Sequence, residues 1–167
     1  MPNWCMNTVT FTHPHAKEIV RLREAYERDE LLSEFAPNPE GKDSENWYSH
    51  NITAWGTKWD TGGTAEMIRE QTASKISLSF DTAWSPPINF YVTMEELGWE
   101  IEAYYYEPGM AFCGKYTNDH GSEHYEIPGC SDDVLNEIPT DIDEMFCISE
   151  NMANEESERE HEEDEDE

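Results

Sequence analysis

The sequence predicts an α+β fold, and three observations carry that reading. Residues 4–12 and 75–82 alternate apolar and polar side chains at the period of a strand. Residues 15–29 and 87–97 read as helices, the first from apolar spacing and the second from a helix-start and helix-stop signature. The order along the chain is strand, helix, strand, then strand, helix, strand with a hairpin extension.

In residues 4–12, Cys5, Val9 and Phe11 share one parity and Trp4, Met6, Thr8 and Thr10 the other, until Pro14 stops the strand. Over 15–29, Ile19, Leu22 and Tyr26 fall at helical spacing with charges elsewhere. Residues 31–35 read as a short second strand running into the turn signal Pro37-Asn38-Pro39, and 38–46 as a polar connector. Asp43 or Ser44 is placed to cap a helix over 45–55, on which Tyr48, Ile52 and Trp55 form one apolar face. Gly56 suits a left-handed stop. Residues 57–60 then run extended, Gly62-Gly63 turns, and 64–72 form a helical turn or two.

In 75–82, Ile76, Leu78 and Phe80 face one way and Ser77, Ser79 and Asp81 the other. Ser85 is the expected N-cap of the next helix, with Pro86 and Pro87 in its first turn and Gly98 beyond its end. Trp99, Ile101, Ala103 and Tyr105 face together in a strand over 99–106. Glu107-Pro108-Gly109 turns it back into an antiparallel partner over 110–116. A further short strand is expected around 124–127, and Ser131-Asp132 as the cap of a weak acidic helix broken by Pro139. From Asn151 onward the composition predicts disorder.

This order is that of a ferredoxin-like split βαβ sandwich, an antiparallel sheet with two helices on one face. The predicted organisation is a domain over 1–128 with a Trp-rich helical insertion at 38–72, an acidic helical extension at 129–150, and a disordered acidic tail at 151–167. Four of the six tryptophans fall in residues 47–60 and 80–87, and indoles need apolar settings and N–H partners. The two segments are therefore expected to pack as one unit. With 167 residues, a single core stands without disulfides or metal. Cys5, Cys113, Cys130 and Cys147 form no CxxC pair and read as reduced thiols of a cytoplasmic protein. No apolar h-region follows the first residues and no run of about 18 apolar residues occurs, so neither a signal peptide nor a membrane span is expected.

Charge is the largest compositional departure: 10 Lys and Arg against 38 Asp and Glu, a formal −28. Residues 149–167 hold eleven acids and one base, leaving 27 acids and 9 bases for residues 1–148, so the body alone is near −18. Such a surface repels phosphates, which argues against direct nucleic-acid or anionic-membrane binding. It favours basic protein surfaces, including those that handle DNA. Adaptation to high salt competes with this reading, although the abundant Trp and Tyr do not favour it.

Four ordered motifs carry a family resemblance. They are Pro2-Asn3-Trp4-Cys5 with Asn7; Trp55-Gly56-Thr57-Lys58-Trp59-Asp60; Thr82-Ala83-Trp84-Ser85-Pro86-Pro87; and Tyr106-Glu107-Pro108-Gly109 followed by Phe112 and Gly114. Over residues 1–116 the chain resembles the YubB-type ferredoxin-like family, small proteins of bacterial plasmids, phages and other mobile elements. Pro108 departs from the flexibility expected in the last motif. The resemblance implies a ferredoxin-like fold and a bacterial cytoplasmic setting, and brings no enzymatic activity with it.

Candidate chemistry centres on a cleft of Trp55, Lys58, Trp59, Asp60, Trp84 and Glu107. The three indoles suit stacking on a base or a peptide side chain, with Lys58 as a cation; the competing reading is core, with Lys58 beside Asp60 or Asp81. Glu107 is singled out among the acids because it sits at a turn inside a motif. Asp119, His120, Glu123 and His124, with Cys113, make a weak metal candidate, since Gly121 opposes a helix and no HExxH or CxxC is present. Cys5 shares an apolar strand face and reads as a buried thiol rather than a nucleophile. No phosphate-binding loop occurs. No catalytic residue, metal ligand or cofactor is therefore expected. The expected role is a non-catalytic accessory protein that binds a basic surface, such as that of a DNA-binding host or defence protein, in its sharpest form as a DNA mimic. The alternative is a small-ligand or nucleotide-binding domain using the tryptophan cleft.

Overall fold

A computed structural model describes residues 2–165. Alternation along Trp4–Thr12 builds the first strand, β1: Cys5, Asn7, Val9 and Phe11 are buried on one face, while Trp4 and Met6 stand exposed on the other. Five more strands follow: β2 (Ile68–Gln71), β3 (Lys75–Ala83), β4 (Glu100–Glu107), β5 (Phe112–Thr117) and β6 (Gly121–Glu126). They form one sheet in the order β2-β3-β1-β4-β5-β6, with every neighbouring pair antiparallel. The helices are α1 (Ala16–Glu27), α2 (Leu31–Phe35), α3 (Trp47–Ala54), α4 (Ile88–Glu96), α5 (Ser131–Glu137), α6 (Thr140–Phe146) and α7 (Ile148–Glu165). This is a mixed α+β protein. No helix among the described residues is long and apolar enough to cross a membrane.

Two cores use the two faces of the sheet. On one face, Ile19 and Leu22 of α1 and Phe90, Tyr91 and Met94 of α4 pack against Val9, Phe11, Ile76, Leu78 and Ile101. Each such side chain, fully buried, is worth about 1.5–3 kcal/mol. On the other face Tyr104 and Cys113, of opposite parity, meet Val134, Ile138, Ile142 and Ile148 from α5, α6 and α7. The acidic C-terminal region is thus a third layer laid over β4–β6. Gly56 and Gly98 end α3 and α4 at φ of 85° and 90°, as their sequence positions predict.

Several local expectations are corrected. Residues 31–35 are a helix, not a strand: Leu31, Leu32 and Phe35 are buried together. The first turn is held from 28 residues away, where the Asp60 carboxylate accepts the N–H groups of Leu32 (2.7 Å) and Ser33 (3.1 Å). The edge strand beside β3 is β2, entered through a 3-10 turn at Ala65–Met67. Asn46, not Asp43 or Ser44, precedes α3. Of the apolar face expected on α3 only Trp55 is buried, with Tyr48 and Ile52 exposed at 52% and 41%. Ser85 does not cap α4, which starts at Ile88; its hydroxyl donates to the Gly56 carbonyl at 2.5 Å.

Ser131 opens α5 but receives its cap from elsewhere: its N–H and hydroxyl both donate to the Glu156 carboxylate, at 2.9 and 2.6 Å. Residues expected to be disordered from Asn151 continue α7 through Glu165. Ile148 and Met152 anchor that helix to the second core, and Glu156 ties it to α5. The last two tail residues lie outside those described.

Candidate functional site

The two tryptophan-rich segments abut through hydroxyl-to-carbonyl hydrogen bonds. The Thr57 hydroxyl donates to the Ala83 carbonyl (2.8 Å) and the Ser85 hydroxyl to the Gly56 carbonyl (2.5 Å), and in α4 the Phe90 N–H donates to the Trp55 carbonyl (3.2 Å). The indoles themselves diverge. Trp55 is buried and donates its Nε1–H to the Ala36 carbonyl at 2.9 Å. Trp59 is 40% exposed, with the Lys58 ammonium 4.7 Å from its ring centre and Trp4 at 6.2 Å. Trp84 is 49% exposed and sits at φ 72°, a strained conformation for a bulky residue, with its N–H bound to the Asn3 carbonyl at 2.9 Å.

The predicted cleft is therefore two separate concavities. Trp55, Trp59 and Asp60 share a pocket of about 380 Å³ with Trp47, Arg28, Asp29, Glu30 and Lys42. Trp84 lines an open depression with Met110, Phe112 and Ile127. Asp60 is chiefly a helix cap: its carboxylate also accepts the Thr61 N–H at 2.9 Å. Burial pushes its carboxyl up, against the lowering effect of those hydrogen bonds. Asp60→Ala leaves the first turn of α2 uncapped and is expected to cost about 2 kcal/mol in urea unfolding. Glu107 is fully enclosed and organises the β4–β5 turn, accepting the N–H groups of Gly109 (2.7 Å) and Met110 (2.8 Å). It faces no ligand space.

The cysteines divide cleanly. Burial, and secondarily Glu107, push the Cys5 thiol up to about 12; burial and Asp143 do the same for Cys113. Both are neutral and inert, whereas Cys147 is exposed and Cys130 half-buried. With Ellman's reagent at mildly alkaline pH, two thiols of the native protein are expected to react and the other two only after denaturation. Four rapid reactions would contradict the burial of Cys5 and Cys113. His124 packs on Tyr105, its Nδ1 3.3 Å from the phenol oxygen, while Cys113 points to the opposite sheet face. Among the described residues no group of three or more His, Cys, Asp or Glu is placed to hold a metal ion.

The acid excess is greatest in the C-terminal layer, which Lys115 and Arg69 of the sheet also reach. Residues 131–165, spanning α5, α6 and α7, carry fifteen acids and one base, Arg159. Three of those acids are engaged: Asp143 accepts the N–H and hydroxyl of Ser149 at 2.7 and 2.6 Å, Glu156 holds Ser131, and Asp141 pairs with Lys115 at 3.0 Å. Among the side chains described, eleven acids of this layer are exposed, Asp141 among them. Arg21, Arg23, Arg28, Lys42 and Lys58 lie in or around α1–α3, the first three in ion pairs with Glu18, Glu27, Glu30 and Glu34. No family model, no curated protein and no solved structure matches the chain.

Proposed function

We propose that this chain is a non-catalytic accessory protein of a bacterial mobile element, and that it binds a basic, DNA-handling protein through the outer surface of α5–α7. The observation that carries the proposal is the run of nine acids and no base over residues 131–156, on three helices that pack as one layer, continued by the exposed acidic end of α7. Carboxylates fixed on a packed layer imitate phosphates better than a loose tail, because little ordering entropy is lost on binding. A field of that sign draws in cationic grooves and repels nucleic acid and anionic membranes. The strand order β2-β3-β1-β4 with a helical crossover from β3 to β4 supports reading the first four strands as the ferredoxin-like unit, and β5–β6 with α5–α7 as additions to it. The mobile-element setting rests on the resemblance of the four motifs.

The test is competition. A host DNA-binding enzyme holding a labelled duplex is titrated with this protein from low to high salt. Displacement of the duplex that weakens steeply with salt is the expected result. Displacement independent of salt, or none with any enzyme of a panel of nucleases, repressors and restriction enzymes, would overturn the reading.

A further inference from the structure

The pocket between the end of α1, the first turn of α2 and the indoles of α3 has a chemistry of its own, independent of the acidic layer. Its donors are already matched: the Arg28 guanidinium binds Glu30 (3.2 Å) and Glu34 (3.3 Å), and the Lys42 ammonium lies 3.8 Å from Glu30. What is left unclaimed is of the opposite kind. Trp47 and Trp59 are part-exposed beside a pocket whose deeper wall is Trp55. Asn51 spends its amide N–H on the Lys58 carbonyl (2.8 Å), which leaves its side-chain oxygen as an acceptor. Asp29 stands at the mouth at φ 59°, its carboxylate in no ion pair among the described residues. Asp60 adds a further negative charge at the wall.

Indole faces are electron-rich, and a cation over such a face gains more as water is excluded. Two carboxylates at the wall outside any ion pair among the described residues, Asp29 and Asp60, disfavour a phosphate, and the cations Arg28 and Lys42 already face Glu30 and Glu34. We infer that this pocket binds a small organic cation of the quaternary or alkylammonium class, held between the Trp47 and Trp59 indoles with Asp29 and the Asn51 oxygen as its polar partners. Lys58 already places an ammonium 4.7 Å from the Trp59 ring centre, so this indole accepts a cation in the unliganded fold. That lysine then opposes a second cation by like-charge repulsion.

The full chain is titrated with choline, with its neutral isostere 3,3-dimethylbutanol, and with ATP, by calorimetry and tryptophan fluorescence. Choline is expected to bind, the isostere at least about tenfold more weakly, and ATP not at all. Trp59→Leu and Trp47→Leu alter part-exposed side chains and are each expected to weaken choline about tenfold with the circular dichroism unchanged. Lys58→Gln is expected to tighten it a few-fold. Equal binding of choline and isostere would reduce the site to an apolar hollow and overturn the inference. Preferential binding of ATP would do so too, by making Arg28 and Lys42 an anion site, and so would no binding of choline. None of these outcomes bears on the acidic layer, which the duplex competition tests separately.

Discussion

Trp99→Ala is expected to lower the unfolding free energy by about 3–5 kcal/mol, the largest loss from any single truncation here. Trp99 is 2% exposed and stands where α4 hands over to β4, its N–H bound to the Met94 carbonyl at 3.0 Å. Its ring meets Phe11 of β1 (6.0 Å), Phe35 of α2 (5.8 Å) and His13 (4.7 Å), so one side chain joins the central strand and the turn after it to α2. The neighbours belong to rigid strands and helices and cannot collapse into the space left behind. Against a total of about 5–15 kcal/mol for a domain, such a loss is a large fraction. The Trp99 indole N–H is buried without a partner, a cost of about 1–3 kcal/mol that the native protein carries. Trp99→Phe removes that cost along with part of the ring and should therefore lose far less than the alanine variant. Urea unfolding of both variants decides it. A loss below about 1 kcal/mol for Trp99→Ala would mean that the three contacts are not cooperative.

What the sequence made legible was what period and punctuation encode. Ile76, Leu78 and Phe80 alternate over a full strand, and the glycines at 56 and 98 mark helix ends wherever tertiary contacts place them. Residues 31–35 were illegible because five residues hold too few repeats to tell periods apart, and because the group that caps them, Asp60, is distant in sequence. The helical tail was illegible for a related reason. Its composition reads as solvated, and only the packing of Ile148 and Met152 and the reach of Glu156 to Ser131 reveal an anchored helix. Of the residues expected to share one cleft, Trp55, Trp59 and Asp60 line one pocket and Trp84 another. Trp84 turns away through a left-handed backbone that no residue type announces, while Arg28 joins the pocket from the turn after α1, Lys42 from the loop before α3 and Trp47 from the start of α3. Trp47 was the one signal available, an indole in a segment already rich in them.

Neutralising six exposed acids of the C-terminal layer is expected to weaken partner binding about a hundredfold and leave the fold intact. The variant changes Asp132 and Asp133 to Asn, and Glu137, Glu150, Glu155 and Glu158 to Gln, all exposed side chains. At roughly 0.5 kcal/mol per interfacial charge the sum is about 3 kcal/mol, or about a hundredfold in affinity for the basic partner at low salt. Stability should hold to within about 1 kcal/mol, because relief of like-charge pairs such as Glu158 and Glu162 offsets the loss of the favourable first-turn charges of Asp132, Asp133 and Glu150. Asp143 and Glu156 must be spared, since they fasten the layer. Hydrogen bonds from Ser131 hold the Glu156 carboxyl below its ordinary value. A depressed carboxyl gives stability that is present above its unfolded value and lost as pH falls through the folded one, so this fastening fails only in acid below the ordinary glutamate range. Glu156→Gln is thus expected to loosen α7 at neutral pH, raising amide exchange along that helix, whereas the sixfold variant leaves exchange unchanged and weakens binding alone. A sixfold variant that still displaces the duplex at low salt with native affinity would show that these carboxylates are solubilising surface and not a recognition face.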